Sequence, residues 1–128
     1  ESGAVRTPDF AAYRLTAVHF WATWCVPCIA ELPEVDATQA AYGDKGFNVL
    51  AIAMDRRTDR VKAFYDKYDI ARLAVYLDHD FTSQRAFNVR VLPITVFFDA
   101  KGKEVFRMSG PLPWRHKQIT HFIEQFVE

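Results

Sequence analysis

The chain contains two cysteines, Cys25 and Cys28, separated by Val26 and Pro27. A C-x-x-C pair can contribute half of a zinc site, sit as unreactive core thiols, or cycle between dithiol and disulfide. Tetrahedral zinc generally wants four ligands, and the sequence holds neither a second C-x-x-C nor a nearby His pair. Redox chemistry is therefore the expectation. Pro27 suits the first turn of a helix, where its missing N–H has no partner, so Cys25 falls at a helix N-terminus. The unpaired N–H groups and dipole there favour a thiolate and lower the pKa from the roughly 8.5 of a free thiol. Cys25 is expected to attack. Cys28, one turn into the helix, is expected to stay buried and protonated until it resolves the mixed disulfide.

The elements that position this pair follow from apolar patterning. Thr16 to Trp21 reads as a buried strand running into the cysteines, and a helix follows through Ala30, Glu31, Leu32, Val35, Ala37 and Ala40. Pro33 is expected to kink that helix near Ile29 to Leu32, and Gly43 and Gly46 to end it. Phe47 to Met54 has the near-continuous apolar run of a strand buried on both faces. Thr58 with Asp59 is expected to cap a second helix carrying Val61, Phe64, Tyr65 and Tyr68 at helical spacing. Ala74 to Leu77 reads as a short strand and Thr82 to Phe87 as a brief helix. Ile94 to Phe98 and Lys103 to Met108 flank Asp99-Ala100-Lys101-Gly102 as an antiparallel hairpin. Trp114 to Val127 closes the chain as a helix turning Trp114, Ile119, Phe122, Ile123 and Phe126 to the sheet. The sum is one α/β domain spanning 1–128, a central mixed sheet with helices on both faces.

Half of the 128 residues are hydrophobic, enough for a substantial core in one domain. Sixteen Lys and Arg balance sixteen Asp and Glu, so no basic excess exists to hold nucleic acid, and protein partners are expected. No apolar run approaches the roughly 18 residues of a membrane span. The chain begins Glu1-Ser2-Gly3 without Met or a leader, as in a mature or trimmed form. Residues 1–10 are expected to be a flexible N-terminus or a remnant of that trimming.

The run Phe20-Trp21-Ala22-Thr23-Trp24-Cys25-Val26-Pro27-Cys28, followed by Glu31-Leu32-Pro33, resembles the TlpA/ResA/CcmG (DsbE-like) branch of the thioredoxin superfamily. The resemblance covers nearly the whole chain and implies a thioredoxin-like fold. Pro33 matches the proline of that family's active-site helix, and Leu92-Pro93 matches its cis-proline loop. The alternative for Pro93 is an ordinary trans proline at a strand entrance. With a cis bond, Leu92 and Pro93 would lie beside the cysteines, and the Leu92 backbone would meet an extended substrate segment. Trp24, Val26, Pro27, Leu92 and Pro93 are then the expected substrate-binding residues, while Trp21 packs in the core. The resemblance further implies an extracytoplasmic, periplasmic reductase that needs no cofactor beyond its own disulfide. A signal peptide or N-terminal membrane anchor would lie outside this chain. A membrane thiol-transfer donor would keep it reduced, and its electrons would reach oxidised cysteines in cytochrome c maturation or copper-site assembly. A disulfide oxidase or isomerase, and a non-catalytic metal-handling module, are the competing readings.

His19 departs from the family, which has Asp or Asn six residues before the first cysteine. By analogy it lies beneath Cys28, on the strand face of Ala17 and Trp21. Three roles are open: accepting the Cys28 proton, with a pKa near 6.5 suited to the task; a hydrogen-bonded core histidine; or a copper or zinc ligand with both thiols. His79, His116 and His121 are expected at the surface. Cytochrome-maturation relatives carry acidic residues near the cysteines and after the cis-proline. Here Ile94 follows Pro93, and Asp55 or Asp59 would have to substitute beside Arg56 and Arg57, which loosens the tie to apocytochrome c.

Overall fold

A computed structural model describes residues 9–78 and 82–127. Five strands form one mixed sheet in the order β3-β2-β1-β4-β5. β1 (Leu15–Trp21) pairs in parallel with β2 (Phe47–Ala53), which in turn pairs in parallel with β3 (Tyr76–Leu77). On its other side β1 runs antiparallel to β4 (Ile94–Asp99), and β4 to β5 (Glu104–Ser109). All seven residues of β1 are buried, as its central place demands. Alternation shows that both faces are covered. Phe97 packs on Trp114 and Phe122, whereas its neighbour Phe98 packs on Phe10 and Phe87. The helices α1 (Val26–Tyr42), α2 (Thr58–Lys67), α3 (Thr82–Ala86) and α4 (Lys117–Glu124) complete the thioredoxin-like arrangement.

Several boundaries differ from the sequence reading. α1 continues past Pro33, which was expected to bend the helix and not to end it, but it also passes Gly43, which is right-handed, into a single 3-10 turn. Only Gly46, at φ 99°, takes the left-handed conformation that ends it. The cap of α2 is Arg57, in extended conformation and with no side-chain bond, so Thr58 is the first helical residue instead of the cap. β3 is confined to two residues. α4 begins three residues later than Trp114, capped by His116, whose Nδ1 accepts from the Gln118 N–H at 3.1 Å. The hairpin turn is as expected: Asp99 Oδ1 accepts from the N–H groups of Lys101 and Lys103, both at 2.9 Å. Residues 1–8 and His79 lie outside the described residues, while Phe10 stacks 4.6 Å from the Phe98 ring. His116 and His121 are exposed.

Candidate active site

β1 ends at Trp21, and three residues later Cys25 serves as the N-cap of α1, in extended conformation with its C=O accepting from the Ile29 N–H at 3.0 Å. The Cys25 sulfur therefore sits at the amino end of a 17-residue helix, with Val26 and Pro27 in its first turn. The two cysteines are joined as a disulfide, their Cα atoms 5.3 Å apart. Cys25 keeps 8% of its surface exposed and Cys28 none, so only Cys25 can be reached from outside. The Leu92-Pro93 bond is cis. Trp24 and Val26 stand out at 66% and 76% exposure. A cavity of about 370 Å³ opens beside Cys25, walled by Trp24 and Leu92 and also by Met54, Gln84, Val89, Arg90 and Val91. Pro27 is exposed and Pro93 buried, and neither lines that cavity.

The chain segment that carries Trp24 and Cys25 is held by the two residues that follow β2. Met54 N–H donates to the Trp21 carbonyl at 2.7 Å. The next residue, Asp55, is buried, and one carboxylate oxygen accepts from the Thr23 N–H at 3.0 Å while the other accepts from the Thr23 hydroxyl. Asp55 is thus turned inward, and Asp59 is paired with Arg57 on the surface at 2.5 Å. Cutting the clamp with Asp55→Ala leaves a partly buried N–H without its acceptor and is expected to cost about 1–2 kcal/mol, read as a lower urea midpoint. Asp55→Asn keeps one acceptor oxygen for that N–H and should lose less.

Beneath the helix lies a buried polar pair. Glu31 is one turn beyond Cys28 on the same face of α1. Its Oε2 accepts from the Leu112 N–H at 2.9 Å and from the Trp114 indole N–H at 2.7 Å. His19 is fully buried, with Nδ1 2.8 Å from Thr95 Oγ1 and Nε2 3.7 Å from Glu31 Oε1. The tautomer that suits both sides has the Thr95 hydroxyl donating to Nδ1 and the Nε2–H directed at the carboxylate. Burial pushes the His19 pKa down to about 3 and raises that of Glu31, against the pull of the Leu112 and Trp114 hydrogen bonds. A free imidazole's pKa near 6.5 is thus not what His19 has. No cluster of three or more His, Cys, Asp or Glu that could hold a metal occurs among the described residues.

The structure brings together Cys25, Cys28, Trp24 and Leu92, and sets His19 on the buried side. Three features escaped the sequence reading: Glu31 as the partner of His19, Asp55 as the Thr23 clamp, and the cavity wall from 84–91. The i, i+3 spacing of Cys28 and Glu31 was a usable signal for the first. The other two depend on contacts between distant elements.

Fold and site together define a thioredoxin-like dithiol protein, its disulfide at the start of a helix and facing a cis-proline loop. The chain belongs to the AhpC/TSA family, whose model matches residues 1–105. It is similar to the thiol-disulfide oxidoreductase ResA of Bacillus thuringiensis subsp. konkukian, 30% identical over 111 residues covering 87% of this chain and 60% of that one. The chain therefore spans about three fifths of that relative's length. Among solved structures it is similar to the Chlorobium tepidum protein assigned as thiol:disulfide interchange protein DsbE, at 27% identity and a TM-score of 0.79, covering 90% of this chain and 81% of that one. A secreted Mycobacterium tuberculosis disulfide oxidoreductase matches at 26% identity and a TM-score of 0.67, covering 77% and 70%.

Proposed function

We propose that this chain is a protein-disulfide oxidoreductase working as a reductase. The observation that carries the reading is the asymmetry of the pair: an accessible sulfur at a helix N-terminus and a sealed one a turn below. In the reduced form, the Cys25 thiolate attacks a partner disulfide, forming an S–S bond to one partner sulfur and expelling the other as a thiolate. Cys28 then loses its proton and attacks the Cys25 sulfur, which expels the second partner thiolate. Two electrons have passed to the partner, and the protein is left as its own disulfide. The Cys28 proton goes to the buried His19–Glu31 pair. Neutralising a carboxylate in apolar surroundings is favourable, so the pair takes up a proton that a lone buried imidazole would refuse. Trp24, Val26, Pro27, Leu92 and Pro93 seat the partner segment.

The work is extracytoplasmic, in keeping with relatives such as the secreted mycobacterial protein, and no described helix is long and apolar enough to cross a membrane. A membrane thiol donor, and an anchor or signal outside this chain, belong to the same reading. Of the two substrate classes the resemblance implies, copper-site assembly factors suit the site better than apocytochrome c, because Asp55 is spent inward on Thr23. Insulin reduction should proceed with the wild type and be abolished by Cys25→Ser. Redox titration is expected to give a potential nearer the about −270 mV of thioredoxin than the about −120 mV of a strong oxidant. A value at the oxidising end would reverse the direction and make the protein an oxidase. No cysteine-dependent turnover at all would leave a binding module.

A further inference from the structure

Beyond the cysteines, the cavity beside Cys25 has a composition that selects. Met54, Val89 and Val91 supply apolar wall, and among the residues that line it Arg90 is the one that carries a charge. Arg90 is exposed, and its Nε donates to Asn88 Oδ1 at 3.3 Å. Among the described residues its guanidinium meets no carboxylate, unlike Arg57 with Asp59 and Arg107 with Glu104. Four N–H donors of a planar fork are thus left for a ligand at the mouth of an apolar hollow. The acid nearest in sequence on the facing loop, Asp55, turns both carboxylate oxygens to Thr23 and is not part of the cavity wall.

Because Cys25 is part of the cavity wall, a segment whose cysteine is under attack passes the mouth of the hollow, where a neighbouring side chain can enter it. We infer that Arg90 and this cavity set the protein's partner preference: an extended segment whose target cysteine has a large apolar residue beside it and a carboxylate within reach of Arg90. The inference rests on Cys25 being the attacking sulfur. An exposed Arg–carboxylate contact is weak alone, but exchanging attraction for repulsion at one site doubles its leverage on partner choice.

The test uses the reduced 128-residue chain and short peptides whose single cysteine is activated as a neutral 2-pyridyl disulfide. Attack by Cys25 forms the peptide mixed disulfide and releases 2-thiopyridone, which is read by absorbance. Each rate is divided by that of the same protein with the 2-pyridyl disulfide of 2-mercaptoethanol, which removes any general change in Cys25 reactivity. A peptide with Leu beside the cysteine and Glu flanking on both sides is expected to react about fivefold faster than its Lys counterpart at low salt. The preference should fade in 0.5 M salt, a concentration chosen to exceed the screening range. Arg90→Ser should bring the ratio to about one, and Arg90→Glu should invert it. Gly in place of the Leu should slow the reaction about tenfold. Equal rates for the Glu and Lys peptides with the wild type, a preference that survives Arg90→Ser, or indifference to the Gly change would overturn the inference. Failure of the small neutral disulfide to react would instead overturn the reading of Cys25, and this inference with it.

Discussion

Cys28→Ser is expected to stop exchange at its midpoint, with a partner held covalently on Cys25. The structure gives the reason. Cys28 is fully buried under Cys25 and bonded to it across a Cα separation of 5.3 Å, so its attack on a mixed disulfide is intramolecular and pre-aligned. Well-oriented intramolecular steps reach effective molarities of about 10⁵ M or more, far above any free thiol, so removing the resolving sulfur should slow release by at least about a thousandfold. Serine is nearly the same size, and the helix start, set by Pro27 and the Cys25 carbonyl, does not depend on the sulfur. The variant should therefore fold and trap. Non-reducing electrophoresis and mass spectrometry of adducts formed in the native compartment would show partners released by reductant, and a Cys25→Ser/Cys28→Ser double variant should capture none. Adducts that persist in the double variant would mean that the captured proteins have no link to Cys25.

The parts of the fold that were legible from sequence are those where one local pattern has one physical meaning. β1 and β2 are apolar runs because both faces of the sheet are covered, and the Asp99 turn is written in its own residues. Leu92-Pro93 was legible through resemblance, and the cis bond matches that expectation. The stretch from Trp114 to His116 misled because Trp114 was counted with the apolar face of α4, which begins only at Lys117. In the structure, the Leu112 N–H and the Trp114 indole are committed to Glu31, which holds that segment off the helix. The same contact explains why His19 could be placed but not understood. Its neighbours come from β4, α1 and the segment before α4, and no spacing within β1 announces them. Arg90 was equally silent, since its meaning comes from a cavity assembled by three separate chain segments.

That buried pair gives the largest expected effect of pH. His19 is neutral in the fold, with its pKa pushed down to about 3 by burial. Between about pH 3 and 6.5 the unfolded chain binds a proton that the folded chain refuses, so this contribution to stability is present above 6.5 and is lost as pH falls. The loss runs at about 1.4 kcal/mol per pH unit. Glu31 has the opposite sign. Its folded pKa is raised, so the folded chain holds the extra proton, and its contribution is complete below 4.5 and lost as pH rises through the folded value. Where the two windows overlap they offset each other, and below 4.5 His19 acts without that offset. His19→Asn removes the first slope. At pH 7 the variant is expected to be less stable by about 1–3 kcal/mol, through the lost Thr95 bond and a poorer partner for Glu31. On acidification that deficit should shrink and then change sign before pH 3, as urea midpoints measured across the range would show. A deficit constant with pH would mean that His19 is not the refusing group. The same variant separates structure from kinetics. If the pair takes the Cys28 proton, the rate of mixed-disulfide resolution should shift its pH profile in His19→Asn, whereas an unchanged profile would leave His19 as packing for Glu31 and nothing more.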